Sequence, residues 1–315
     1  MTKRNELPAA LPATFTTQEA ADLGVGPKRL RAKDLASGGY GIRYRGTEAP
    51  DLRARLRPLL ALAPENWISH ATAAALYGLH VPTRISEDPL IHLTARSTRW
   101  SVERAGVRGH CQRLTEAELS DFDGLPILTP ARTWFDLLRV LGRDQAICLG
   151  DQLVRLPRAR FEDRTEPWAT LDELQVVVDA NGSRPGVRRA RDLLPWIRVG
   201  SDSPQETRLR LAIIRAGLPE PGLQVPLDPD RPDGWTADVG YRQWKIALQY
   251  EGEHHFCPER AGVDIQRDEA FRGEGWTVIL ASSEDARSGF SRVVRRLAPL
   301  ISWGRSQRPE ARDCA

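Results

Sequence analysis

The stretch from Ser203 onward constrains the fold more than any other part of the chain. In SPQETRLRLAIIRAGLP, Ser203 can cap, Pro204 suits a first turn, Leu209, Ile213 and Ile214 share a face, and Gly217 ends the run. That pattern predicts a helix. A strand is expected over 222–227, then a Pro/Asp turn over 228–234. Two strands follow, one holding TADVGY and one KIALQYEG, with Arg242 and Gln243 in the turn between them. A helix over 263–274, a strand from Trp276 to Ala281 and a helix over 288–301 complete the order. The unit therefore reads helix, three strands, helix, strand, helix.

Side chains alternate along a strand. Ile246, Leu248 and Tyr250 are expected on one face, and Lys245, Ala247, Gln249 and Glu251 on the other. Asp238 stands between Ala237 and Val239 on the partner strand. A carboxylate there is expensive to bury unless it is paired or binds a cation. Glu206 lies in the first turn of the preceding helix. Three carboxylates converging near a strand end suit Mg²⁺ or Mn²⁺, hard cations with oxygen ligands. Such a metal lowers the pKa of bound water and offsets charge on a scissile phosphate. Each acid also has an ordinary structural use. Glu206 is favoured by the helix dipole, Asp238 can pair with an arginine, and Glu251 can begin a loop. The order of helical Glu, strand Asp and strand Glu ahead of a Gly is harder to dismiss.

His254 and His255 follow the site directly, as a general acid or base, as phosphate contacts, or as surface-loop residues. With Cys257 they lack the fourth ligand of a zinc site. Asp264, Arg267 and Asp268 are spaced to share one helix face. Arg267 reads either as a phosphate contact or as the centre of an ion-pair network with the two aspartates.

Ahead of this unit, TTQEAADLGVGPKRLRAKDLASGGYGIRYRG predicts a helix capped by Thr16 or Thr17 and ending near Leu23. A second helix is expected from Pro27 to Gly38, and a strand from Tyr40 to Arg45. That order is a winged helix-turn-helix. Lys28, Arg29, Arg31 and Lys33 on the helix, and Arg43 and Arg45 on the strand, are the nucleic-acid contacts this predicts, against a solvated basic face as the alternative.

Residues 53–80 read as helical, with Ser69 as a cap and His70 and His80 as structural residues. Short strands are expected near 89–94 and 105–112. Helices follow over 131–140 (capped by Thr129), 143–154, 171–180 and 184–196.

A chain of 315 residues accommodates two or three domains. The expected division is a winged helix over 1–50, an α/β middle domain over 51–156, a helical linker over 157–200, the acid-bearing domain over 201–302 and a tail over 303–315. The fold class is α+β and multidomain. A net charge of +3 permits nucleic-acid binding without demanding it. Cys111, Cys148, Cys257 and Cys314 form no CxxC pair, which argues against a disulfide framework and fits a reducing cytoplasm. No apolar run approaches the roughly 18 residues that span a membrane.

Residues 201–300 resemble the Vsr-like family, bacterial domains related to very-short-patch-repair endonuclease within the PD-(D/E)XK nuclease superfamily. The pieces that carry the likeness are SPQETRLR, GLPEP, ADVGY, ALQYEGEHHF and DIQRDEAFRGEGWTVIL. The N-terminal part is similar to AbiEi-type antitoxin and regulator proteins, through the winged-helix pattern, ISHATAAALYGLHVP and GLPILTPARTWFDLL. The first resemblance implies a restriction-endonuclease-like mixed sheet flanked by helices, with Glu206 as the helical acid and Asp238 as the strand acid that binds metal. It also places the Arg267 face beside the site and a histidine where His254 and His255 stand. This chain departs from the family's Glu-Tyr-Asp-Gly, reading Gln249-Tyr250-Glu251-Gly252, and has Glu253 rather than a lysine two residues after Glu251.

The expectation is a DNA-binding protein with a metal-dependent endonuclease-like domain. A His or Glu253 would assist attack on phosphorus. The rival is a non-enzymatic, antitoxin-like transcriptional regulator that keeps a degenerate nuclease fold. The motifs leave RNA open as a substrate, and a second copy or a toxin open as partners.

Overall fold

A computed structural model describes residues 6–46, 50–96, 100–158, 162–182, 184–231, 234–252 and 258–306, with only the backbone described at 258–261 and 305. Among these, no helix is long and apolar enough to cross a membrane. The chain forms two compact units. The first comprises Met1–Val140 and Val176–Val187, the second Leu141–Gln175 and Arg188–Ala315.

The first unit begins with β1 (Thr14–Thr16), α1 (Thr17–Asp22), β2 (Leu35–Ser37) and β3 (Ile42–Arg45). Thr16 caps α1 reciprocally with Glu19. The three strands form an antiparallel sheet in the order β1-β3-β2. Phe15, Ala20, Val25 and Leu30 pack into a small core. The second basic helix expected from Pro27 to Gly38 does not form. Only Arg29–Arg31 coils, as a single 3₁₀ turn, and the chain then enters β2. Within Arg29–Arg31 only Leu30 is buried, so the segment has no apolar stripe to dock a full helix. Arg29 instead clasps Asp34 through two hydrogen bonds of 3.0 and 2.7 Å.

Then come α2 (Leu52–Leu62), β4 (Asn66–Ile68), α3 (His70–Leu76) and α4 (Thr83–Ser86). The stretch 53–80 is therefore not one helical region. Asn66 donates to the carbonyls of Ala63 and Pro64 at 3.2 and 3.1 Å, turning the chain into a strand. Next are β5 (Ile91–Ala95), β6 (Glu103–Arg104), β7 (Val107–Cys111), β8 (Leu119–Phe122), β9 (Leu125–Leu128) and α5 (Pro130–Leu137), with Thr129 capping α5. Strands β4 to β9 make one mixed sheet, ordered β6-β7-β5-β4-β9-β8.

The second unit opens with α6 (Arg143–Val154). The division between units crosses α7 (Leu171–Ala180) and the start of α8 (Val187–Leu193). Then come α9 (Pro204–Arg215), β10 (Gly222–Pro226), β11 (Thr236–Tyr241), β12 (Ile246–Glu251), α10 (Pro258–Gly273), β13 (Thr277–Ser282), α11 (Ser283–Arg287) and α12 (Ser291–Ser306). The sheet order is β10-β11-β12-β13. Its first two pairings are antiparallel and the last is parallel. Ile246 and Leu248 pack with Leu209 and Ile213 of α9 and Val293 and Leu297 of α12. Ala247 packs instead with Phe271 of α10 and with Trp276. The expected alternation along β12 thus holds from Ile246. Lys245 lies outside the strand, in the left-handed turn that follows Arg242–Trp244. Gly240 has a steric reason: a Cβ there would meet the Ile246 carbonyl at 2.6 Å.

The units do not divide at 156/157 or 200/201. α6 belongs with α9 because Asp151, buried, accepts hydrogen bonds from Arg210 (3.0 Å), Thr207 (2.8 Å) and the Arg198 amide (2.8 Å). A buried carboxylate needs such partners.

Candidate functional site

Within the second unit the charge of Asp238 reaches Glu206. Ser203 caps α9 by accepting from the Glu206 amide at 3.3 Å. The Glu206 side chain turns back, accepting from the Ser203 hydroxyl and from the Asp202 amide, both at 2.8 Å. This capping geometry holds the carboxyl 6% exposed. Burial first, and then the charge of Asp238, hold the Glu206 carboxyl well above the usual carboxylate range. Asp238 accepts the Tyr250 amide at 2.8 Å. Burial of its carboxyl pushes Asp238 up to about 6, although that hydrogen bond and the charge of Arg267 pull the other way. Two shielded carboxyls that resist ionisation in one place are the electrostatic condition that a hard cation relieves.

Gln249 is fully buried next to Asp238 and accepts the Asp238 amide through Oε1 at 3.2 Å. Its Nε2 has no hydrogen-bond partner among the described residues. The amide oxygen is committed to the backbone, so Gln249 is not oriented as a metal ligand. Glu251 ends β12 and is exposed. Among the described residues it joins no cluster of three metal-type ligands with Glu206 and Asp238. The structure brings together two of the three expected acids. Glu253, His254 and His255 lie outside the described residues, as does Cys257.

Two further groups border the site that sequence reasoning passed over. Asp202 raises the pKa of both Glu206 and Asp238 by its charge. It pairs with Arg155 at 3.4 Å and with Arg158, and accepts from Gln224 at 3.2 Å. Arg158 in turn lowers the pKa of Asp238. The acidic run SDSPQE offered a signal for Asp202. Arg158 sits in what reads as linker, and only the packing of α6 beside α9 explains its arrival. Arg267 contacts Asp264 at 3.4 Å and Asp268 at 3.8 Å, and Asp268 also meets Arg272 at 3.5 Å. The ion-pair network is present, and the Arg267 charge also reaches Asp238.

In the first unit, three of the six expected nucleic-acid contacts are spent on the fold. Arg29 pairs with Asp34 at 2.7 Å. Arg43 donates to the carbonyls of Leu30 (3.0 Å) and Ile42 (2.7 Å). Arg45 donates to those of Pro8 and Leu11, both at 2.7 Å. Lys28, Arg31 and Lys33 are exposed.

No family model matches the chain. It is similar to uncharacterized proteins of Mycobacterium tuberculosis in the CDC 1551/Oshkosh and H37Rv strains, each 29% identical over 268 residues. The match spans 84% of this chain and 92% of each relative, so the likeness extends across both units.

Proposed function

We propose that the second unit hydrolyses phosphodiester bonds in DNA with a divalent cation, Mg²⁺ or Mn²⁺, held by Glu206 and Asp238, with Glu251 at the exposed strand end as a peripheral contact. The observation that carries this is a pair of shielded carboxyls, one at a helix start and one inside a strand, with the charge of Asp238 acting on Glu206. The donor set is all oxygen, which fits a hard cation. When bound, such a cation lowers the pKa of a water and offsets phosphate charge. Ser203 and the Asp202 amide orient Glu206, the Tyr250 amide orients Asp238, and Arg158 and Arg267 supply positive charge for a phosphate. The first unit would bring DNA through Lys28, Arg31 and Lys33, as a winged-helix variant whose second helix is reduced to one turn. The cytoplasm is the compartment that fits this chemistry.

A second reading is a DNA-binding regulator without cleavage. Gln249 favours it, because a neutral side chain stands beside Asp238 with its oxygen already bonded. Incubating the protein with supercoiled DNA, linear DNA and RNA, under Mg²⁺, Mn²⁺ or EDTA, separates the two. Metal-dependent nicking supports the enzyme. Absence of cleavage on every substrate, with no Mg²⁺ or Mn²⁺ binding by calorimetry, sinks it and leaves the regulator.

A further inference from the structure

The first unit gathers three histidines that lie far apart in sequence. Strands β5 and β7 run parallel with His92 opposite Arg108 and Thr94 opposite His110. His92 and His110 therefore share a sheet face, since residues two apart on a strand point the same way. His70 reaches the same place from the first position of α3. It does so in a left-handed backbone conformation, φ 49°, which residues other than glycine adopt rarely and which tends to mark functional sites. Its ring stacks on that of His110 with centroids 3.8 Å apart. Nitrogens from the three rings all lie within 4.8 Å of one another.

We propose that His70, His92 and His110 form a three-histidine site for a late divalent transition metal of the zinc class, with a fourth position open to an anion. Imidazole nitrogen is the donor such metals prefer, three histidines with one open position are a familiar catalytic zinc set, and metal–nitrogen bonds of about 2.0–2.1 Å put ligand atoms roughly 3.4 Å apart. Small ring movements close the present cluster to that spacing.

The hydrogen bonds fit such a site. His92 Nε2 faces the Asp88 carboxylate at 3.2 Å, and its Nδ1 faces His110 Nε2 at 3.0 Å. A carboxylate has no proton to give, so His92 carries its proton on Nε2, and its Nδ1 accepts from the His110 Nε2–H, a proton that a bound metal would displace. A carboxylate behind a ligating imidazole is the usual outer support of such metals. His70 Nδ1 is held by the Ser69 hydroxyl at 3.0 Å, leaving Nε2 for the cluster.

His70 and His110 also line a cleft of about 480 Å³ with Arg113, Asp136, Arg139 and Arg184. Asp136 is 6% exposed, and its Oδ2 has no partner among the described residues. The arginines make a bare dication costly and an anionic fourth ligand favourable, which is why the open position is assigned to an anion. This site is independent of the acids of the second unit.

The test uses the full chain carrying Asp238→Asn, so that the acid site contributes little, with Co²⁺ and Zn²⁺ as probes. One Co²⁺ per chain should bind with the visible bands of four-coordinate cobalt, be displaced by Zn²⁺, and shift its spectrum with thiocyanate. His92→Gln and His110→Gln should each lose at least a hundredfold in affinity, while His254→Ala with His255→Ala leaves it unchanged. Asp88→Asn should weaken binding about 10–100-fold, and it tests the site even if a histidine variant fails to fold. No stoichiometric cobalt binding, binding indifferent to the Asp88 and histidine substitutions, or a spectrum unmoved by thiocyanate would overturn the proposal.

Discussion

The two units shield ionisable clusters of opposite character, and acid affects them in opposite ways. In the second unit, burial raises Asp238 from 3.8 to about 6. The native carboxyl keeps a proton that the unfolded chain has already lost, so its contribution to stability falls as pH rises through that window. In the first unit, burial first and then neighbouring positive charge lower His70 and His110 from 6.5 to about 3. There the unfolded chain takes up protons that the native rings refuse, so stability falls as pH drops below 6.5. Each cluster rejects its own charged form. The difference teaches what each is suited to: on the proposed reading a cation would let the acids ionise, whereas the histidines stay neutral.

The largest expected effect tests the chemistry. Asp238→Asn keeps an acceptor for the Tyr250 amide but removes the charge. Metal-dependent cleavage should fall at least ~10³-fold, since a bound metal contributes several kcal/mol to the transition state. Unaltered cleavage in a gel-nicking assay would place the chemistry elsewhere and dissolve the contrast between the clusters.

Next is the support behind each. Arg132 lies fully buried, bonded to Glu118, Gln112 and Asp136, and Arg210 lies fully buried between Asp151 and Glu220. Arg132→Ala and Arg210→Ala should each cost about 3–5 kcal/mol in urea denaturation, because each strands a buried carboxylate. A cost below 1 kcal/mol at either would mean that its carboxylates take up protons instead, as both Asp136 and Asp151 lean toward doing.

A smaller effect concerns linkage. Mg²⁺ at a hundred times its Kd should add about 2.7 kcal/mol of stability at pH 8, where Asp238 is ionised. At pH 5 the proton competes, and the gain should nearly vanish. An equal melting shift at both values would remove Asp238 from the cation site. Least of all, Glu251→Gln should change cleavage less than ~10-fold, about 1.4 kcal/mol, because Glu251 stands exposed at the strand end. A loss as large as that of Asp238→Asn would show that DNA or metal draws Glu251 inward.

Where local chemistry decides structure, the sequence was legible. α6 starts and ends where expected, and β11 is TADVGY as read, because alternation and turn residues act over a few positions. The same local signals place Glu206 in the first turn of a helix and Asp238 inside a strand. The second basic helix was misread because helical propensity without a buried stripe does not hold a helix against a hairpin. β4 was hidden in an alanine-rich stretch whose break depends on one asparagine side chain. The histidines were invisible to spacing. His70 comes from a helix start, His92 and His110 from strands whose parallel pairing is a long-range fact, so His70 read as an isolated structural residue. Asp202 and Arg158 likewise become neighbours only through packing.

The first unit is discontinuous, and that has a consequence for how the protein is made. Asn181 donates to Glu118 at 2.8 Å, yet 63 residues separate them, and residues 141–175 in between belong to the other unit. On the ribosome, an N-terminal unit usually folds before later segments emerge. Here the polar cluster around Arg132 stays incomplete until the chain has been synthesised past residue 181, by which point α6 is already waiting for α9. Both units must therefore spend part of synthesis unfinished together. A truncation at 156 would release a first unit lacking its last buried partner, together with a helix that has nothing to pack against.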